Sequence, residues 1–266
     1  MGLQTLDRAV AVLRALGSGG DDGLRLIDLQ HSTQLAKPTV HRLLSALVAH
    51  GLVAHDAESR RYRLGQELAI LGWSVSHRGQ DLRTIAMHSA SLLADETGDT
   101  VFVVVRSGLD TVCLDRHTGA YPIKALTVDV GTRRPLCVGA GGLSILASLP
   151  ATECDAILEA VADRLAGQTR ASMAQIRAAI REARKAGFAV SNSFVTEGVR
   201  AVSIAIRDFR GHPIAAIGIA AILPRIPPRR IPELANALER ERRLIESRLL
   251  MSQGSGLSAA KRSRRG

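Results

Sequence analysis

A chain of 266 residues with 46% hydrophobic residues can bury a sizeable core in one or two domains, while an aromatic content of 3% leaves that core to Ala, Leu, Val and Ile and supplies few stacking platforms for single-stranded bases. The formal charge of +10 admits polyanion partners but is spread along the chain, with 9 Lys and Arg against 7 Asp and Glu in residues 1–80, 22 against 18 in residues 81–250, and four basic residues with no acid in residues 251–266, so charge alone does not decide function. No apolar run reaches the roughly 18 residues that span a bilayer and "MGLQTLDRAV" lacks the basic-then-apolar order of a secretory signal, so the sequence predicts a cytoplasmic protein with no membrane partner.

From Thr5, "TLDRAVAVLRAL" repeats apolar residues at three- and four-residue steps, the mark of a helix with one apolar stripe, and "GSGGDDG" stops it. A short second helix, "LRLIDLQHS", follows. After "TQLA", the segment "KPTVHRLLSALVAHG" predicts a third helix: Pro38 sits in a first turn that tolerates a missing N–H, Val40, Leu43, Leu44, Leu47 and Val48 form its stripe, and Gly51 ends it. "LVAHD" and "RRYRL", joined by the polar "DAES", read as a hairpin.

Three helices and a hairpin in so short a span predict a winged helix-turn-helix. The exposed start of the third helix offers Lys37, Pro38, Thr39, His41 and Arg42. Such a helix can enter the major groove, about 12 Å wide, where Arg reads guanine and Thr or His bonds base edges or phosphate. Arg60 and Arg61 at the hairpin tip would reach a neighbouring backbone or minor groove. The pattern also admits a helical interaction module whose basic face is merely solvated.

"TLDRAVAVLRAL", "KPTVHRLLSALVAHGLV" and "RYRLGQELAILG" together resemble the N-terminal domain of the IclR-type bacterial transcriptional regulators, and the resemblance continues over residues 3–250. It implies an α+β protein: a winged helix-turn-helix over residues 1–65, a linker helix over 66–80, a GAF-like effector-binding domain with an antiparallel sheet over 81–250, and a basic tail, 251–266, which is expected to be disordered. One departure is Gln34, where the family often has glycine at the turn between the second and third helices.

In the second part, "DLRTIAMHSASLLADETGDT" has helical spacing, and "TVFVVVR", "DTVCLDRH" and "IKALTVDV" are β-branched runs that predict three strands. "GAGGLSILASLP" opens a helix from a glycine-rich loop. That loop lacks the Gly-Lys-Ser/Thr ending of a P-loop, but small residues bring backbone N–H groups near a ligand and a helix N-terminus favours an anion. Two amphipathic helices, 152–166 and 173–185, precede "GFAVSNS", two further strands, "EGVRAVSIAIRD" and "HPIAAIGIAAIL", and a long charged helix, "IPELANALERERRLIESRLL". The resemblance implies a small-molecule pocket to which Gly141, Gly142, Ser191, Asn192, Ala201 and Ser203 contribute; for each serine an ordinary turn or sheet hydroxyl is an equal alternative. Many family members read "GKA" where this chain has Gly142, Leu143 and Ser144.

Cys113, Asp115 and His117 are two apart in one strand and so would share a face, but no oxyanion loop accompanies them, and no enzymatic activity is expected. The three cysteines are scattered without metal-ligand spacing, and the histidines lie in no HExxH context, so neither metal nor cofactor is expected. The resemblance implies a homodimer or dimer of dimers on double-stranded operator DNA, controlling a catabolic operon through a carboxylic-acid effector. An alternative function class is a DNA-associated metabolite sensor that recruits another protein with little sequence specificity.

Overall fold

The computed structural model describes residues 4–20, 22–76 and 82–263, in two compact units, 1–78 and 79–266. In the first, α1 (Gln4–Gly17), α2 (Leu26–Thr33) and α3 (Lys37–Ala49) bury Val12, Leu16, Leu29, Val40, Leu44 and Leu47 against one another. These are the residues whose spacing marked the stripes, and each fully buried leucine contributes roughly 1.5–3 kcal/mol. α2 ends at Gln34, whose φ of 55° lies in the left-handed region that glycine usually occupies. Its Nε2 donates to the His31 carbonyl at 2.8 Å, so the side chain helps to satisfy the end of the helix it terminates.

The hairpin forms as β2 (Val53–Asp56) and β3 (Arg61–Leu64). The second helix starts later than its sequence suggests, because Leu24–Arg25 is a short strand, β1, which pairs with β3 and makes the wing three-stranded in the order β1-β3-β2. The open edge of β3 captures these two residues, a long-range event that helical spacing does not register. α4 (Gln66–Ser76) follows the wing as expected; residues 77–80 of the expected linker span lie outside the described residues.

The second unit opens with α5 (Leu82–Thr97) and holds six antiparallel strands: β4 (Thr100–Ser107), β5 (Asp110–Thr118), β6 (Arg133–Pro135), β7 (Ala189–Asn192), β8 (Val199–Arg207) and β9 (Pro213–Ile222), ordered β6-β5-β4-β9-β8-β7. The strand expected at "IKALTVDV" does not form. Residues 123–130 run as an irregular segment with Ala125 buried and Ile123, Leu126 and Val130 exposed, and the edge of β5 pairs instead with β6. β-branched composition favours a strand only where an edge is available to pair. β7 was not foreseen as a strand, and it closes the other edge.

α6 (Gly139–Ala147), α7 (Ala151–Val161) and α8 (Met173–Ala186) lie between the two halves of the sheet sequence, and α9 (Ile231–Ser263) follows it. The single helix expected over 152–166 is α7 plus a 3-10 turn at Ala162–Arg164. Ser172 caps α8 by accepting from the Gln175 amide, and Gly187, at φ 82°, ends it. α9 carries helical backbone through the stretch where a disordered tail was expected, as far as Ser263; once earlier turns exist, each added residue closes one further hydrogen bond. Among the described residues no helix is long and apolar enough to cross a membrane.

The sheet is covered on both faces, and alternation decides what each face holds. Val202, Ile204 and Ile206 of β8 and Ile217 and Ile219 of β9 pack in the cluster that includes α5 and α9. The alternate residues, Ala201, Ser203, Ala216, Gly218 and Ala220, are small and face the α6 side, where they leave space above the sheet. Two buried carboxylates pin the ends of the unit. Asp99 accepts from Arg225 Nε at 3.1 Å and Arg230 Nη1 at 2.6 Å, and Asp110 from Arg133 at 3.2 Å and Arg164 at 2.5 Å.

Candidate functional site

In the first unit, α3 buries Val40, Leu43, Leu44 and Leu47, which leaves Lys37, Pro38, His41 and Arg42 exposed and Thr39 half-buried on the opposite side. Arg60 is exposed at the wing turn with φ 54°. Asp56 organises that turn, its carboxylate accepting from the Glu58 amide at 3.0 Å and the Ser59 hydroxyl at 2.6 Å; these bonds, the Ser59 hydroxyl first, hold its pKa below the ordinary carboxylate value. Arg61, expected to share the tip with Arg60, is partly committed inward: its Nη1 donates to the Gly23 carbonyl at 2.8 Å and ties the wing to the start of β1. The face that α3 and the wing turn present is therefore cationic and held by an apolar core.

In the second unit, the small residues of β8 and β9, the start of α6 and the irregular segment around Thr127 and Val128 enclose a cavity of about 100 Å³. Gly141, Gly142, Ser191, Ala201 and Ser203 all line it. Asn192 does not. Strand alternation turns it away from Ser191, and its Oδ1 accepts from Arg200 Nε at 2.5 Å on the far side. The two glycines also differ in role. A Cβ on Gly142 would stand 1.8 Å from the Leu136 carbonyl oxygen, so this residue is small because backbone lies against it, whereas the closest atom to a Cβ on Gly141 would be a side-chain methyl, that of Val104, at 2.7 Å.

The cavity wall is mostly apolar. Arg134 is the charged residue among its described lining, and it was not among the residues the sequence suggested. Its Nη2 donates to the Thr127 carbonyl at 2.7 Å, and among the described residues no carboxylate pairs with it. Burial pushes its pKa down from the usual guanidinium value, yet arginine keeps its proton in proteins, so the cavity holds an uncompensated positive charge. Ser191 is buried and its hydroxyl makes no hydrogen bond among the described residues, while the Ser203 hydroxyl donates to the Ile217 carbonyl at 2.8 Å and retains its acceptor pairs. The N-terminus of α6, preceded by Val138 with no side-chain cap, adds backbone N–H groups to the same wall. An anion with an apolar body matches this lining. Arg134 could have been singled out only by knowing that β6 borders the cavity, which its neighbour Arg133, paired to Asp110, does not reveal.

Cys113, Asp115 and His117 do not form a unit. A bulge between Val103 and Val104, whose partners are Asp115 and Cys113, breaks the alternation. Cys113 lines the cavity, while Asp115 lies 3.9 Å from Arg83 of α5 and 3.4 Å from His117. Burial pushes the Cys113 thiol up to about 11, so it is protonated at neutral pH and a poor nucleophile.

The family model of the IclR helix-turn-helix domain matches residues 5–57, and that of the bacterial transcriptional regulator IclR C-terminal domain matches residues 75–246, which include every cavity residue named above. This chain belongs to the IclR family of bacterial transcriptional regulators. It is 31% identical to the glycerol operon regulatory protein of Streptomyces griseus over 238 residues, 89% of this chain and 92% of the relative. The solved IclR transcriptional regulator of Alicyclobacillus acidocaldarius superposes with a TM-score of 0.73 at 21% identity, covering 93% of this chain and 99% of that one. An IclR homologue of Microbacterium hydrocarbonoxydans complexed with 4-hydroxybenzoate superposes with a TM-score of 0.68 at 20% identity, covering 93% and 100%. As an IclR regulator the chain is a helix-turn-helix transcription factor of a non-enzymatic family, with the α+β architecture described. The helix-turn-helix domain implies binding to DNA, and the cavity lies in the IclR C-terminal domain.

Proposed function

We propose that this IclR regulator is a sequence-specific, effector-responsive repressor or activator of a catabolic operon, and that its effector is a small organic acid with an apolar body. The observation that carries the proposal is Arg134, a half-buried guanidinium that among the described residues has no carboxylate partner, in a cavity otherwise lined by uncharged, mostly small and apolar groups. A carboxylate there would receive charge-assisted hydrogen bonds, with Ser191 and the N-terminus of α6 as further donors, and the small floor of Ala201, Gly218 and Ala220 leaves room for a ring or branched chain. The 4-hydroxybenzoate bound by the Microbacterium homologue is an acid of this shape.

In this proposal the protein works in the cytoplasm as a homodimer or a dimer of dimers. Two α3 helices read two half-sites, with Arg42, His41 and Thr39 toward base edges and Lys37, Pro38 and Arg60 along the backbone. The acid alters DNA binding only insofar as it binds one dimer geometry more tightly than another, because equal affinity for both shifts nothing. The test is quantitative binding of the full chain to the intergenic duplex upstream of its own coding region, with a salt titration and a panel of aromatic and short-chain carboxylic acids. Tight, salt-sensitive binding that one acid changes is the expected result. Weak binding equal on a scrambled duplex, and indifferent to every acid, would refute the proposal.

A further inference from the structure

A cleft in the first unit gathers cations from three elements: Arg25 from β1, Lys37 from the first turn of α3 and Arg60 from the wing turn, with Ser59 and Glu58 on the same wall. All three basic side chains are exposed, and among the described residues none is in an ion pair. Glu58 is the lone carboxylate of the wall, so the cations outnumber it.

A second observation is independent of the cleft. In the wing register Arg25 stands directly opposite Arg61, and like charges so placed destabilise a sheet. Asp56, the residue opposite Arg61 on its other side, gives no relief to Arg25, because its carboxylate is spent on the Ser59 and Glu58 groups of the wing turn. The fold thus brings four positive side chains together at the junction of recognition helix and wing, and leaves three of them around an open cleft. A doubly shared anionic oxygen is the chemistry that would reward this arrangement.

We propose that Arg25, Lys37 and Arg60 clamp one backbone phosphate of duplex DNA, so that the strand β1, and not only the helix and the wing tip, sets the register of α3 in the groove. The inference rests on the DNA-binding function proposed above. Such a contact positions without reading sequence. Its loss therefore weakens every duplex alike and removes one counterion from the salt dependence.

The experiment compares the wild-type chain with Arg25→Gln, Arg25→Lys and the triple variant Arg25→Gln/Lys37→Gln/Arg60→Gln by fluorescence anisotropy, on the upstream intergenic duplex and on a scrambled duplex of equal length and composition, across a salt series. The triple variant should make the slope of log K against log salt shallower by about 0.9 in total on both duplexes, because three cations sharing one phosphate release one counterion, while Arg25→Gln alone should weaken both duplexes with their affinity ratio unchanged and Arg25→Lys should restore that affinity. Undiminished binding by Arg25→Gln, a slope in the triple variant that falls by about 2.7 as three separate phosphate contacts would give, or a loss confined to the intergenic duplex, overturns the clamp while leaving the DNA-binding function standing. A wild type that binds neither duplex in a salt-dependent way overturns both. Should thermal melting show Arg25→Gln unfolded, Arg60→Gln and Arg60→Lys at the exposed turn carry the affinity test with the same outcomes.

Discussion

Replacing Arg134 by methionine keeps the length and bulk of the side-chain stem and removes its charge. The guanidinium has five N–H donors, and among the described residues one is used, on the Thr127 carbonyl at 2.7 Å. No carboxylate neutralises it among the described residues, so its remaining donors and its charge are available to an acid in the cavity. Hydrogen bonds to charged groups contribute roughly 1.5–3 kcal/mol, and a paired contact in this half-buried setting falls at the upper end. About 3 kcal/mol corresponds to roughly a 100-fold change in Kd. Isothermal titration with the best acid of the panel and its primary amide, on wild type and Arg134→Met, isolates the term. The wild type should prefer the acid by roughly that factor, and the variant should not discriminate. Unfolding of the variant should lose only the charged-donor bond to Thr127, roughly 1.5–3 kcal/mol. A wild type that binds acid and amide equally, or a variant that keeps the preference, would refute the assignment of Arg134 as the anion anchor.

The two glycines of the cavity should separate on substitution. Gly142→Ala presses a Cβ into the Leu136 carbonyl, 1.8 Å away, and should unfold or distort the effector domain in circular dichroism, whereas Gly141→Ala meets the Val104 methyl at 2.7 Å, an overpacking of about 1–3 kcal/mol, and should stay folded while weakening effector binding; normal stability in the first variant would contradict the backbone packing. Asp99, with its side chain 1% exposed, holds both Arg225 and Arg230, so Asp99→Ala should cost about 3–5 kcal/mol in urea unfolding. A loss below about 1 kcal/mol, the size of an exposed pair, would show that the cluster is not structural. Finally, the hydrogen bonds from Arg242, aided by Arg243, hold the Glu239 carboxyl down to about 2 from an ordinary 4.5. A depressed carboxylate stabilises the fold above its unfolded value and loses that contribution as the pH falls through the folded one. The melting temperature should therefore drop as pH goes from about 4.5 to about 2, and Glu239→Gln should flatten that part of the profile; an unaltered profile would assign the acid sensitivity elsewhere.

Local periodicity was enough for the helices of the DNA-binding unit and for the exposed residues of α3, because an apolar stripe of three- and four-residue steps is buried in any fold that uses it, and its opposite face is then solvated. The same holds for β8 and β9, where alternation of large and small residues could be read along the chain. Pairing could not. Leu24–Arg25 became a strand because β3 offered an edge, and residues 123–130, a good strand by composition, became an irregular wall because β5 paired with Arg133–Pro135 instead. The candidate site divides the same way. Gly141, Ser191, Ala201 and Ser203 were legible through the family's pattern, but the exclusion of Asn192 follows from its bond to Arg200, and the importance of Arg134 from the fact that β6, β8 and α6, distant in sequence, enclose one space. The sequence by itself determined which residues are apolar and with what period, hence the elements and the family. Which edges pair, which charges are left without partners and where a cavity opens depend on contacts between residues far apart in the chain, and only the tertiary structure decided those.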